Sequence, residues 1–471
     1  EKENHWLKEQ FKLHQQRLYG RSTETSQALQ TMLIFDEVPT TLPEEPALET
    51  ITFQREKTKK LGRKIDFSLF PTEQKIHDLK EDEKICACGA ELVKIGEDGA
   101  KQLEHISEQY KVIEHIRCKY TCRKCETIKM ASKEEAPIPK CLAGSSLLTD
   151  IIIKKFEHHL PLYRQAKILQ TRNIHIPDNT LCNWVMKSAE VLLPLGECLW
   201  EELNQVHIVQ SDDTKVKILE LNKEGFMWGY HSLEKDNRFI LFEFNRSRGR
   251  HVVNQRLQNF QGILQTDGLS SYNALRQKEG VVNIGCWDHC RRKFSDVIKI
   301  NNANKSGKAG TMLSLIGKLY RIEQDIKSAS YDERKKIRQQ QSKPILTKIY
   351  EHLNDINAPP QSALGKAVFY AKNQWPYLIR YIDFGEAEIS NCLMENQIRP
   401  FAVGRRNWLF IGNEESANKS ALLYSLIQTC KINQIEPRKY LQYVLNQVHK
   451  MQQKEIDVRI LLPQFIDIKL L

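Results

Sequence analysis

The sequence predicts a multidomain α+β chain, and three observations predict it. Its 471 residues are about three times a common single-domain length. A block of short β-rich runs over residues 207–283 is flanked on both sides by helical patterns. Five of the 12 cysteines fall within residues 81–135, which marks a small module of its own. A hydrophobic content of 41% supplies a sizeable core and excludes wholesale disorder. Seventy Lys and Arg against 59 Asp and Glu leave a net charge of +11, which suits a polyanionic partner without requiring one.

No stretch approaches the ~18 consecutive apolar residues of a membrane span, and residues 1–20 are charged and amphipathic rather than signal-like. No membrane partner is expected. The expected location is cytoplasmic, where cysteines stay reduced and are free, buried or metal-bound. A chain that starts at Glu1 without Met also reads as clipped at its start.

Along the chain, residues 1–35 read as an N-terminal amphipathic helix. Leu7, Phe11 and Leu18, with Trp6 and Leu13, make its apolar stripe; a coiled coil and an ordinary surface helix both fit. Residues 36–80 carry four prolines around the basic run from Arg55 to Lys64, a linker that either tracks phosphates or is a solvated tether.

Residues 81–135 form a candidate zinc-binding module. Cys86 and Cys88, followed by Gly89, pair with Cys122 and Cys125. Four thiolates suit a tetrahedral structural Zn²⁺, and glycine permits the tight turn of a metal knuckle. The first pair has one intervening residue instead of the usual two, and Cys118 is a substitute ligand. Reduced cysteines without metal are the alternative. Arg117, Lys119, Arg123 and Lys124 surround the second pair, which fits DNA contact or a knuckle that only closes a hairpin.

Residues 145–205 read as a helix-turn-helix-like region. Ile151, Ile152, Phe156 and Leu160 space one helix, residues 161–169 a second, and Asp178 is placed as the N-cap of a third that starts with Asn179 and Thr180. Groove-reading elements have this form, and so do trihelical packings that never touch DNA.

Residues 206–415 carry the chemistry. Asp212 lies in a β-branched run, with residues 225–230 and 238–244 as the next two strands of a meander. The apolar run Gly262 to Thr266 ends in Asp267-Gly268, an exposed acid beside a backbone that admits close approach. Glu395 opens a helical turn that runs into Gly404-Arg405-Arg406-Asn407-Trp408. Two strand-borne Asp and a helix-borne Glu are how ribonuclease-H-like mixed-sheet cores gather three carboxylates at one edge. Such a set can hold two Mg²⁺ or Mn²⁺ at a phosphodiester. Any one of the 59 acids is also an ordinary cap or surface group.

At these residues the sequence resembles the transposases of the insertion sequence 66 family over nearly its whole length. The resemblance rests on the two cysteine pairs and on His159 to Gln165, Asp212-Asp213-Thr214 and Gly262 to Gly268. It rests further on Gly285-Cys286-Trp287-Asp288-His289 with Arg291-Arg292-Lys293-Phe294, and on Glu395 through Ile411. It implies a DDE-type transposase: a zinc-binding module, a ribonuclease-H-like catalytic core with a helical insertion at about 300–385, and a small C-terminal domain over 416–471. Asp212, Asp267 and Glu395 become the catalytic, magnesium-holding acids. His289, Arg291, Arg292, Arg399, Arg405 and Arg406 become DNA contacts, with Trp408 stacking on a base or packing in the core.

The implied partners are terminal inverted repeats, target DNA, further copies of the chain on DNA and accessory proteins of the same element. A catalytically inactive DNA-binding regulator and a ribonuclease-H-like nuclease or resolvase are the rival functions. The chain departs from the family's usual pattern at Asp213, Lys215, Asp288 and Asn396. None of these removes a metal ligand, although Lys215 or Asp288 would bear on metal affinity.

Overall fold

The computed structural model describes residues 109–114, 119–121, 128–130, 136–220, 222–301 and 307–471. The N-terminal helix, the basic linker, Cys86, Cys88, Cys118, Cys122 and Cys125 lie outside the described residues. The chain divides into two units, residues 1–40 with 134–471 and residues 41–133. In the smaller unit, β1 (Lys119–Thr121) and β2 (Ile128–Met130) pair antiparallel, with Lys119 opposite Met130.

The larger unit begins with four helices: α1 (Ser145–Phe156), α2 (Leu162–Gln170), α3 (Asp178–Val191) and α4 (Leu193–Leu203). Leu148, Ile151, Ile152 and Phe156 recur every three or four residues and bury one side of α1. Asp178 does not cap α3. Pro177, extended, holds the N-cap, and Asp178 is the first helical residue, its Oδ1 accepting from Asn179 N at 2.9 Å. The proline ring presets the entry angle, and the acid still lies in the electropositive first turn. Asn179 and Asn183 are exposed at the start of α3, while Leu181, Trp184 and Val185 are buried.

A five-stranded mixed sheet follows, in the order β5-β4-β3-β6-β7. β3 (Ile208–Ile218), β4 (Lys223–Ser232) and β5 (Ile240–Asn245) form an antiparallel meander. The chain then passes through α5 (Arg250–Arg256) to β6 (Gly262–Gln265) and β7 (Val281–Ile284), which run parallel to β3. β6 is buried along its whole length, as an apolar strand covered on both faces must be. Gly262 enters it at φ +134°, and a Cβ there would lie 2.1 Å from the His207 carbonyl oxygen. Gly262→Ala is therefore expected to cost about 2–4 kcal/mol from backbone strain plus overlap, read as a lower denaturant midpoint at unchanged slope.

The helix of the third acid, α11 (Cys392–Trp408), and the long α12 (Glu414–Ile432) follow the helical insertion. α12 is buried nearly all round and covers the edge strand β5. Ser425 Oγ and Thr429 Oγ1, one turn apart, accept from the Phe242 and Ile240 backbone N–H groups at 2.8 and 3.0 Å. Edge donors that would otherwise stay exposed are thus satisfied. α13 (Pro437–Gln452) closes this core, with Tyr440 Oη donating to the Leu461 carbonyl.

Between β7 and α11 stand α6 (Trp287–Asn301), α7 (Lys308–Asp325), α8 (Tyr331–Ile337), a π-turn (Arg338–Ser342), α9 (Lys343–Asp355) and α10 (Ala363–Leu378). They enclose a second apolar core. Trp287 joins α6 to the end of α10 by donating from its indole to Leu378 O at 2.8 Å. Among the described residues no helix is long and apolar enough to cross a membrane.

Candidate active site

Asp212 sits mid-way along β3, the central strand. The paired residues of β3 and β6 keep a constant offset of 55, ending at Gln210 opposite Gln265. Asp212 and Asp267 are also 55 residues apart. Each acid lies two residues beyond its glutamine, Asp212 still within β3 and Asp267 just past the end of β6. The charge of Asp267 acts on the Asp212 carboxyl, as it does when the two lie close together.

The two glutamines build the floor. Gln210 Nε2 donates to Gln265 Oε1 at 2.8 Å and to Ser390 O at 2.9 Å. Gln210 Oε1 accepts from Met394 N at 3.0 Å, which satisfies a donor in the first turn of α11. Asn391 Nδ2 donates to Ser211 O at 3.1 Å. On the other side of β3, Asp212 pairs with Gly229 of β4, where the missing side chain admits Met394. The helix start is thus pinned to the strand of the first acid, and Glu395 follows Met394 directly. Gln210, Gln265 and Asn391 escape a search for reactive residues. The two glutamines have a signal in the sequence, an amide two residues before the acid in Gln-Ser-Asp and Gln-Thr-Asp at the end of apolar runs; Asn391 has none.

Asp212, Asp267 and Glu395 are all half-buried. Burial pushes the Asp212 carboxyl well above the usual carboxylate range, and the charges of Asp267, Glu395 and Asp213 push it further; the Asp213 N–H opposes them. Mutual repulsion of this kind is what a cation relieves. Asp267 Oδ1 accepts from Leu269 N at 2.9 Å, which fixes its turn. Glu395 has one oxygen 3.5 Å from Arg292 Nη2 and the other 3.6 Å from His289 Nδ1. That Glu395 oxygen and His289 Nδ1 are buried without a hydrogen-bond partner. A half-buried set of carboxylates with an unsatisfied oxygen fits a hard divalent cation such as Mg²⁺ or Mn²⁺.

The neighbouring acids are otherwise engaged. Asp213 is paired with Arg248 at 2.9 Å. Lys215 bridges to Glu224 at 2.7 Å, and Asp288 accepts from Tyr320 Oη at 2.7 Å and from the Cys392 thiol. Among the expected DNA contacts, Arg292 and Arg406 are exposed, and Arg291, Arg399 and Arg405 are half-buried. Arg405 donates to Thr214 Oγ1 at 3.2 Å, two residues beyond Asp212. Trp408 is half-buried and packs edge-on against Phe401, ring centroids 5.5 Å apart; this is its core placement. A polar cavity of about 390 Å³ opens beside Asp267, lined by Gly268, Arg276, Gln374 and Tyr377 among others.

Comparison with known proteins identifies the family. The model of the transposase IS66 family matches residues 140–419. A zinc-finger binding domain of transposase IS66 matches 83–126, and an IS66 C-terminal element matches 425–464. A fourth model, described as transposase C of IS166 homeodomain, matches 6–68. The chain is similar to the uncharacterized protein y4jD of Sinorhizobium fredii, with 30% identity over 393 residues, 79% of this chain and 76% of that one. It is also similar to the uncharacterized protein y4hP of the same organism, with 29% identity over 388 residues, 77% of this chain and 70% of that one. With more than half of its length matched by one family model and its cysteine, sheet and C-terminal regions matched in order, the chain belongs to the IS66 family of transposases.

Proposed function

We propose that this transposase binds the terminal repeats of its element and catalyses metal-dependent DNA strand cleavage and strand transfer, with Asp212, Asp267 and Glu395 as its catalytic acids. The observation that carries the reading is that β3 and β6 pair up to Gln210 and Gln265, two residues short of Asp212 and Asp267, while Gln210 also holds the first turn of the Glu395 helix. The strand order, a meander followed by two parallel strands on the far side of β3, supports a ribonuclease-H-like core.

Asp212, Asp267 and Glu395 would hold two Mg²⁺ or Mn²⁺, which supply Lewis acidity at the attacking and leaving oxygens of a phosphodiester. The chain's own contribution is position. Gln210 and Asn391 keep the strand of the first acid and the helix of the third in register, so the carboxylates need no rearrangement when DNA arrives. Arg292, Arg399, Arg405 and Arg406 offer guanidinium forks to phosphate oxygens, with Arg291 and His289 on the same helix start. Cys86, Cys88, Cys122 and Cys125 hold a structural Zn²⁺, and the exposed start of α3 meets a groove. Copies of the chain assemble on the two element ends, with accessory proteins of the element as further partners.

The test is cleavage of a labelled terminal-repeat duplex by the full chain with Mg²⁺ and with EDTA. Nicking at the 3′ end of the element only with Mg²⁺ is expected. Repeat binding without any cleavage would assign the chain instead to catalytically inactive regulators.

A further inference from the structure

At the start of α6, two side chains that the carboxylate chemistry does not use face Glu395. The sulfur of Cys286, a ring nitrogen of His289 and an oxygen of Glu395 lie within 4.8 Å of one another. We propose that Cys286, His289 and Glu395 form a second, overlapping site for a borderline transition ion of the Zn²⁺ class, and that such an ion competes with the magnesium site for Glu395. The binding claim stands on these residues alone; the competition rests on the proposed role of Glu395.

Spacing comes first. Cys286 immediately precedes α6 and His289 lies in its first turn, so Cys-x-x-His brings both donors to one end of one helix. Glu395, in the first turn of α11, faces them. Zinc bonds of about 2.0–2.3 Å imply ligand–ligand edges of about 3.3–3.7 Å in a tetrahedron. His289 Nδ1 and the facing Glu395 oxygen are 3.6 Å apart. Both atoms are buried and have no hydrogen-bond partner, so two potential donors to a metal stand side by side unsatisfied. Arg292 lies against the other Glu395 oxygen and leaves this one free.

Donor chemistry selects the ion. Thiolate and imidazole disfavour Mg²⁺ and favour Zn²⁺, Co²⁺ or Cd²⁺. Asn391 N donates to Cys286 Sγ at 3.2 Å, an orientation that suits an electron-rich sulfur. A thiol binds such an ion as the thiolate, so its proton passes to solvent as the metal–sulfur bond forms. Two anionic ligands and a neutral imidazole balance the charge of a divalent ion, and a fourth position stays open. While the facing Glu395 oxygen serves this ion, it is withdrawn from Asp212 and Asp267.

The experiment is a Co²⁺ titration of the full chain, following thiolate-to-cobalt charge-transfer absorption, for wild type, Cys286→Ala and His289→Gln. The zinc module contributes equally to all three, so the readout is the difference. One fewer cobalt equivalent is expected in Cys286→Ala, and cobalt binding at least about 100-fold weaker at that site in His289→Gln, with circular dichroism unchanged. Equal stoichiometry and absorption in wild type and either folded variant would overturn the site. His289→Gln decides the matter if Cys286→Ala fails to fold. In a second arm, Zn²⁺ added over excess Mg²⁺ lowers DNA cleavage about tenfold in wild type, and markedly less in Cys286→Ala relative to that variant's own zinc-free rate. Equal inhibition in both overturns the competition. Absence of cleavage in wild type at any zinc level counts against the proposed catalytic function instead, while the cobalt arm still decides the site.

Discussion

Asp212→Asn is expected to lower Mg²⁺-dependent strand cleavage by about 10³-fold or more, which is about 4 kcal/mol of transition-state stabilisation, and at the same time to make the metal-free protein more stable. The two effects have one cause. Burial and the charges of Asp267 and Glu395 raise the Asp212 carboxyl above its ordinary range, so its ionised form is a strain on the fold until a cation shares the site. In wild type with EDTA, the stability supported by protonated Asp212 is fully present below the unfolded carboxylate value of about 4 and is lost as pH rises through the raised folded value. Asparagine has no proton to lose, so the variant lacks this decline. Mg²⁺ should raise the melting temperature of wild type more at about pH 8 than at about pH 5, and should do far less for Asp212→Asn. Thermal melts with EDTA and with Mg²⁺ at both pH values, beside a cleavage assay, check both halves. Full activity in a folded Asp212→Asn protein would remove the catalytic assignment.

Arg338→Met is expected to destabilise the fold by about 3–5 kcal/mol, the usual cost of removing one partner of a buried ion pair. Arg338 is fully buried in the π-turn between α8 and α9. Its Nε and Nη2 grip Glu323 of α7 at 2.9 and 2.6 Å. Nη1 donates to the carbonyls of Tyr381 and Phe384 at 3.1 and 2.7 Å, and Nη2 also donates to Ala387 at 2.9 Å. All five guanidinium donors are used. Methionine fills similar volume but leaves Glu323 and three carbonyls short of donors. Those carbonyls belong to the stretch that leads into α11, so Glu395 should lose definition as well. Urea unfolding of the variant reads the stability loss; a change below about 1 kcal/mol would show that the network is not needed.

Much of the block that carries Asp212, Asp267 and Glu395 was legible because its signals are local. The β-branched run around Asp212 and the Asp267-Gly268 end of an apolar run both fall where the structure has β3 and the end of β6. The stretch that opens with Glu395 lies in a helix, and the stretch between the second and third acids is helical. What escaped depends on partners far away in sequence. Nothing in Gln210 announces a partner in Met394, 184 residues on, and nothing marks Asn391 as the link to Ser211. Arg338 is one of 70 basic residues in a stretch rich in Lys, Arg and Gln, and only tertiary packing shows it to be buried. Asp178 illustrates a local signal read one position out: acid before an apolar stripe suggests a cap, but Pro177 takes that place because its backbone is already preset for entry. Cys286 was visible as part of a family pattern, yet its nearness to Glu395 needed two helix starts to meet.

The proposed chemistry requires convergence of three distant acids on divalent ions beside DNA. Its most direct measurement is the anomalous scattering of Mn²⁺ in crystals of the full chain with terminal-repeat DNA. The account predicts manganese peaks in contact with the carboxylates of Asp212, Asp267 and Glu395, next to a backbone phosphate. Manganese bound elsewhere in crystals that still cleave their DNA would contradict it.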